Sequence, residues 1–326
     1  MTDAGELRAA AATSGRLATA ADGPPQPGTG FRSGFVTLVG RPNSGKSSLV
    51  NALLGQKLAI VSDTPQTTRH RFRAILDSAD YQMVIVDTPG IHKPHDALGE
   101  ELNKSAIKAL EAVDVAVFVL DAAKPFGRGD EWVLEHLRKL SQPRLLVLSK
   151  TDLADNAVCA EQVAAAQAFL DFDGIYPLSS LAGRGLQEFV DGCVARLPAG
   201  PRWFPEGTQT DQDLSVLVAE FIREKILFVT SQEVPHAVGV VTENLEYDRK
   251  RGLTSIQAFI YVESKSQIGI IIGKGGERIK TIGTQARHDL EQLLGTKVFL
   301  DLRVKLRKGW RRDINQIKRF GYRVGD

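Results

Sequence analysis

Lys46 and Ser47 stand at the end of Gly40-Arg41-Pro42-Asn43-Ser44-Gly45-Lys46-Ser47-Ser48, directly after the apolar run Phe35-Val36-Thr37-Leu38-Val39. Glycines at 40 and 45 expose bare backbone, so successive N–H groups can turn inward and cradle phosphate, and a helix starting at Lys46 adds positive potential. The Lys46 ammonium can reach β and γ phosphates, and the Ser47 hydroxyl can ligate Mg²⁺, a hard cation that takes oxygen. Strand, loop and helix in that order are the context a P-loop requires.

Four further stretches place reactive groups at strand ends. In Thr64-Pro65-Gln66-Thr67-Thr68-Arg69 a loop threonine, Thr68, can offer its hydroxyl to Mg²⁺ and its N–H to a γ-phosphate. Val84-Ile85-Val86-Asp87-Thr88-Pro89-Gly90 ends a buried strand in a carboxylate suited to hold Mg²⁺ through water, and Gly90 lets the backbone donate to the γ-phosphate. Leu146-Val147-Leu148-Ser149-Lys150-Thr151-Asp152 ends another strand. There Asp152 can accept two N–H bonds from guanine, a donor pair that adenine lacks, and Lys150 can lie along the base plane. The backbone of Ser179, Ser180 and Leu181 can meet the base oxygen.

These motifs, in this order, resemble the translation-factor-type GTPases. The resemblance implies GTP and GDP with Mg²⁺, and catalytic roles for Lys46, Thr68, Gly90 and Asn43. Three departures matter. Ser149 replaces the Asn of Asn-Lys-x-Asp and, being shorter, is expected to lose its tie to the P-loop. Ser180 stands where Ala is usual, and Ile91 stands where Ras-like proteins carry a water-orienting Gln. Asn43 offers another source of assistance: either its side-chain oxygen ligates K⁺ beside the phosphates, or it merely stabilises the loop.

A second chemistry lies in Ile272-Gly273-Lys274-Gly275-Gly276, between helical segments. Missing side chains let a nucleic-acid backbone approach, Lys274 and Lys280 add charge, and an adjoining apolar groove would take about four unpaired bases, as in a KH domain. Beyond Leu302 come Arg303, Lys305, Arg307, Lys308, Arg311, Arg312, Lys318, Arg319 and Arg323 against Asp313 and Asp326, with Trp310, Phe320 and Tyr322 interleaved. With little acid nearby, this reads as a basic tail with stacking surfaces for single-stranded RNA.

The elements that must position these groups follow from periodicity. Strands are expected at 35–39, 83–86, 115–120, 145–148 and 175–178, with an alternating run at 72–76, and helices at 46–54, 100–112, 130–140, 160–170 and 186–197. That alternation predicts an α/β P-loop domain, a mostly parallel sheet with helices on both faces. A smaller α+β KH domain follows, with helices at 214–227 and 277–294 and strands at 237–242, 256–262 and 297–304. The expected organisation is a disordered tail at 1–32, the P-loop domain at 33–198, a Pro/Gly-rich linker at 199–212 and the KH domain with its basic tail at 213–326.

At 326 residues and net charge +2, the chain has no overall polyanion-binding character, so any nucleic-acid surface must come from local asymmetry. Cys159 and Cys193 lack metal-ligand spacing and read as inert thiols in a reducing cytosol. No run reaches the ~18–20 apolar residues of a membrane span.

A GTPase domain followed by a KH domain resembles the Era family. Its more particular marks are Gln66-Thr67-Thr68-Arg69-His70, Asp87-Thr88-Pro89-Gly90-Ile91-His92-Lys93-Pro94, Glu233-Val234-Pro235-His236 and Lys308-Gly309-Trp310. The resemblance implies a monomeric cytoplasmic switch that binds 16S rRNA near its 3′ end and the 30S subunit or its precursor. It also implies peripheral contact with the inner face of the membrane. Two rivals stay open: a switch acting on another RNA, and a constitutive RNA-binding protein with a structural nucleotide site.

Overall fold

In the computed structural model, the described residues are 30–62, 72–87, 112–230 and 234–320, with Glu100 and Leu110 besides. The expected helix at 100–112 and the disorder expected at 1–32 therefore fall almost wholly outside them. The chain divides between Asp211 and Gln212 into two units.

The first unit is built on β1 (Arg32–Val39), α1 (Lys46–Leu54), β2 (Phe72–Asp77), β3 (Tyr81–Asp87), β4 (Val115–Asp121), α2 (Arg128–Leu137), β5 (Arg144–Ser149), α3 (Asn156–Phe169), β6 (Gly174–Pro177) and α4 (Leu186–Val194). Its six-stranded sheet has the order β2-β3-β1-β4-β5-β6 and is parallel except for β2, which runs antiparallel to β3. Every residue of β4 is buried, as a central strand covered on both faces requires. Phe118, Leu120, Leu146 and Leu148 pack with Leu134 and Leu137 of α2 and Ala166 of α3. The chain order reverses at β1, which lies between β3 and β4, and ligands of such sheets bind in the crevice beyond the carboxyl ends of the strands at that switch point.

The Pro/Gly-rich stretch after α4 is laid along this unit. Buried Gln82 accepts from the N–H groups of Trp203 (2.7 Å) and Phe204 (2.9 Å) and donates to the Phe204 carbonyl (3.0 Å). Arg202 pairs with Asp77 (3.0 Å), and Arg73 with Asp211 (2.7 Å). Thr210 bridges Ala74 on β2, with Ile75 N–H donating to the Gln209 carbonyl.

The second unit comprises α5 (Leu214–Val229), the short α6 (Val234–Ala237), β7 (Gly239–Asp248), β8 (Leu253–Val262), α7 (Lys265–Ile272), α8 (Glu277–Leu294), β9 (Lys297–Leu306) and α9 (Ile314–Arg319). In its three-stranded sheet β7 and β8 are antiparallel and β8 and β9 parallel. The strand expected from Ala237 instead begins at Gly239, because Val234–Ala237 coils into one helical turn. Packing of α5 on α8 includes an ion pair of Lys225 with Asp289 (2.5 Å).

The chain after β9 folds back on the sheet. Trp310 is fully buried, its indole N–H donates to the Ala237 carbonyl (2.9 Å), and Phe320 stacks on Tyr261 and packs tilted against Trp310, each with centroids 4.8 Å apart. Gly239 makes room: a Cβ there would come within 3.1 Å of the Phe320 ring. Among the described residues, no helix is long and apolar enough to cross a membrane.

Candidate functional site

The loop at 40–45 sits at the carboxyl end of β1. A side chain at Gly40 would fall 2.4 Å from the Val119 carbonyl, so only glycine lets the chain pass β4. Gly45 caps α1 in the left-handed region (φ 95). Lys46 is nearly buried and its ammonium donates to the carbonyls of Arg41 (2.7 Å) and Gly40 (3.0 Å). Arg41 is drawn to Asp130 of α2 (3.1 Å), whose carboxyl burial pushes above its ordinary value. Ser44 is buried, while Pro42, Asn43, Ser47 and Ser48 are half-buried.

Ser149 corrects one expectation. Its hydroxyl reaches the Ser44 carbonyl at 2.6 Å and the Leu120 carbonyl at 3.0 Å, so the tie to the P-loop is kept. The shorter side chain suffices because Gly45 offers no side chain here: a Cβ on it would stand only 3.4 Å from the Ser149 hydroxyl. Lys150 takes a left-handed backbone (φ 58), and its ammonium donates to the Asn43 carbonyl and the Asp121 carboxylate, both at 2.7 Å. Asp152 is exposed beyond the strand end, and a hydrogen bond from Ser179 holds its carboxyl below its ordinary value. Buried Ser179 is fixed in turn by mutual backbone bonds with Arg184 and by the Ala182 N–H on its hydroxyl (3.1 Å). Ser180 is half-buried and Leu181 is 92% exposed.

Asp87 ends β3, in register with Leu38 on β1 and Phe72 on β2. Gln66, Thr67, Thr68, Thr88, Pro89, Gly90 and Ile91 lie outside the described residues. Ser47 in the first turn of α1 and Asp87 at the end of β3 carry a hydroxyl and a carboxylate, oxygen donor types that fit Mg²⁺.

In the second unit Gly273, Gly275 and Gly276 all have positive φ (75, 61 and 81). At Gly273 a Cβ would meet Arg278 Cβ at 2.8 Å, so the turn from α7 into α8 needs its glycine. Ile272 is half-buried, and Lys274 and Lys280 are exposed. Beside this loop a groove of about 360 Å³ runs between α8 and β9, lined by Ile279, Lys280, Gly283, Phe299 and Leu302 among others. The i, i+4 spacing of 279, 283 and 287 on α8 carried this face in the sequence, but the opposing strand became visible only through the fold.

The tail differs from its expected form. Trp310 is a core residue rather than a stacking surface, and Phe320 packs against it. Arg311 makes two bonds to Glu263 (3.0 and 2.7 Å) and Arg303 pairs with Asp301 (2.9 Å), so acid from β9 and the end of β8 neutralises part of the basic run. Arg307 and Lys308 remain exposed. Tyr322 lies outside the described residues.

Two family models match the chain: a GTPase family described as 50S ribosome-binding GTPase over residues 35–150, and the KH domain over residues 233–311. Among solved structures, an Era in complex with MgGDPNP and nucleotides 1506–1542 of 16S ribosomal RNA is 35% identical, with a TM-score of 0.86. That match covers 90% of this chain and 99% of the other. An Era variant from Aquifex aeolicus bound to GDP and aluminium fluoride matches with the same identity, coverage and TM-score.

Proposed function

The chain belongs to the Era family of GTPases, and from that premise we propose that it hydrolyses GTP and binds 16S rRNA near its 3′ end through its KH domain. One observation carries the reading: a P-loop braced by the strand-end loop at 149–152, and a glycine turn leading into α8 beside the groove between α8 and β9, occur in one chain. That chain aligns along 90% of its length with an Era holding both a GTP analogue and 16S rRNA. The assigned partner is the 30S subunit or its precursor, and the assigned setting is the cytoplasm, with peripheral contact at the inner face of the membrane.

Lys46 binds the β and γ phosphates, and its present carbonyl partners mark how close its ammonium lies to the loop. Gly90 and Thr68 donate to the γ-phosphate. Ser47, Thr68 and Asp87 would hold Mg²⁺, which when bound would neutralise phosphate charge. Asp152 reads guanine, with Lys150 beside the base and the 179–181 backbone at its oxygen. Gly273 through Gly276 let the RNA backbone approach, and Lys274 and Lys280 meet its phosphates. Arg307 and Lys308 extend that charge.

GTP gates RNA binding only if γ-phosphate contacts favour one arrangement of the loops at 64–69 and 91–98. The test is sequencing of RNA crosslinked to the protein in cells, comparing GTP-locked with GDP-bound forms. Enrichment at the 3′ end of 16S RNA in the GTP form alone is the expected result. Crosslinks elsewhere, or equal in both forms, would overturn the assignment.

A further inference from the structure

We propose that Asp121 is a positioning residue for guanine-nucleotide binding, acting through Lys150 on the P-loop. The inference rests on reading residues 149–152 as the base-recognition loop. Asp121 ends β4 and its side chain is 2% exposed. One carboxylate oxygen accepts from the Ala123 N–H (3.0 Å), which fixes its orientation, and the other accepts from the Lys150 ammonium (2.7 Å).

The contacts form two adjacent rows. Leu120 carbonyl, Ser149 hydroxyl and Ser44 carbonyl make the first, at 3.0 and 2.6 Å. Asp121 carboxylate, Lys150 ammonium and Asn43 carbonyl make the second, at 2.7 Å each. Consecutive residues at the end of β4 thus back consecutive residues of the base loop, which hold consecutive carbonyls of the P-loop. A serine hydroxyl has one proton and cannot serve both its acceptors fully. The second row carries a charge at its centre, and such charge-assisted bonds are the stronger kind.

Backbone geometry points the same way. Among the described residues, Asn43 (φ 65) and Lys150 (φ 58) are the two non-glycine positions with positive φ. Such conformations persist only where surroundings over-determine them. The Lys150–Asn43 bond joins the two strained residues directly, and Asp121 anchors the lysine that makes it. Without Asp121 the ammonium loses its counter-charge, and its bond to the Asn43 carbonyl must then compete with solvent.

The experiment is a double-mutant cycle on the full chain with Mg²⁺, reading GDP and IDP affinity by calorimetry. Asp121→Asn is expected to weaken GDP binding about tenfold in the natural background, as loss of one charged hydrogen bond does. In a Lys150→Met background it is expected to weaken binding less than about twofold, because its route to the P-loop is already gone. The preference for GDP over IDP, which lacks the 2-amino group read by Asp152, stays unchanged in Asp121→Asn. An equal loss in both backgrounds, or no loss in the natural one, overturns the inference while leaving the base loop assignment intact. If Lys150→Met alone leaves GDP affinity unchanged, the base-loop reading fails and the inference fails with it. Should Asp121→Asn not fold, the cycle is run with Asp121→Glu, which displaces the carboxylate by one methylene; cancellation or persistence of its effect decides in the same way.

Discussion

On the reading of Asp152 as the guanine acceptor, its carboxyl must be ionised to bind, and the Ser179 hydroxyl is the largest influence holding that carboxyl below its ordinary value. A lowered carboxyl pKa favours the charged form in the folded chain. Its contribution is present above the ordinary carboxylate value and is lost only as pH falls through the folded value. GDP affinity titrated from pH 7.5 downward is therefore expected to stay flat through the ordinary carboxylate range, and Ser179→Ala is expected to move the onset of loss upward. Asp152→Asn is expected to abolish the preference for GDP over ADP by about a hundredfold or more, since the paired acceptor is gone. At Asn43, turnover in KCl and in NaCl at equal ionic strength tests its reading as a K⁺ ligand: faster turnover in KCl, lost in Asn43→Ala, is the expected pattern. Spacing alone exposed Lys46, Asp152 and the glycines. The tie made by Ser149 stayed hidden, because whether a short side chain reaches depends on how closely Gly45 lets two distant loops approach. Asp121 stayed hidden too, since a strand-end Asp has no local pattern that marks its partner 29 residues on.

Elements in the first unit announced themselves where burial is complete. A strand covered on both faces must be apolar along its length, and β4 is so from Val115 to Leu120 before it ends in Asp121, while α1 begins and ends at glycines visible in the sequence. Half-exposed elements were harder to read. β7 runs to Asp248 through Glu243, Asn244 and Glu246 because β8 pairs with it on one side up to Asp248, with a bulge at Glu243, so its solvent half needs no apolar signal. The stretch after α4 looked structureless because its ordering comes from one side chain outside it. Gln82 is fully buried and meets three backbone groups of Trp203 and Phe204. Gln82→Ala strands those groups, at a cost of about 2–3 kcal/mol for lost and unsatisfied bonds. Amide exchange at Trp203 and Phe204 is then expected to rise by about thirtyfold or more, while β4 amides stay protected.

On the scale of the whole molecule, a net charge of +2 hides a basic C-terminal region, and the fold sorts that region into two groups. Arg311 pairs with Glu263 and the still-exposed Arg303 with Asp301, and Trp310 and Phe320 close the core of the second unit. Sequence shows charge and aromatics together, but only packing decides which face solvent, because an aromatic stripe serves a core as readily as a base. Lys274, Lys280, Arg307 and Lys308 remain exposed. Two changes near the same surface should therefore fail in different ways. Replacing Lys274 and Lys280 by Ala removes two phosphate partners, so the slope of log affinity for single-stranded RNA against log salt falls by about 1.4, with thermal stability unchanged. Trp310→Ala instead opens a cavity and leaves the Ala237 carbonyl unpaired, costing about 3–5 kcal/mol. Its RNA affinity should collapse along with cooperative melting of the second unit, and a folded Trp310→Ala variant with an altered salt slope would return that residue to the RNA surface.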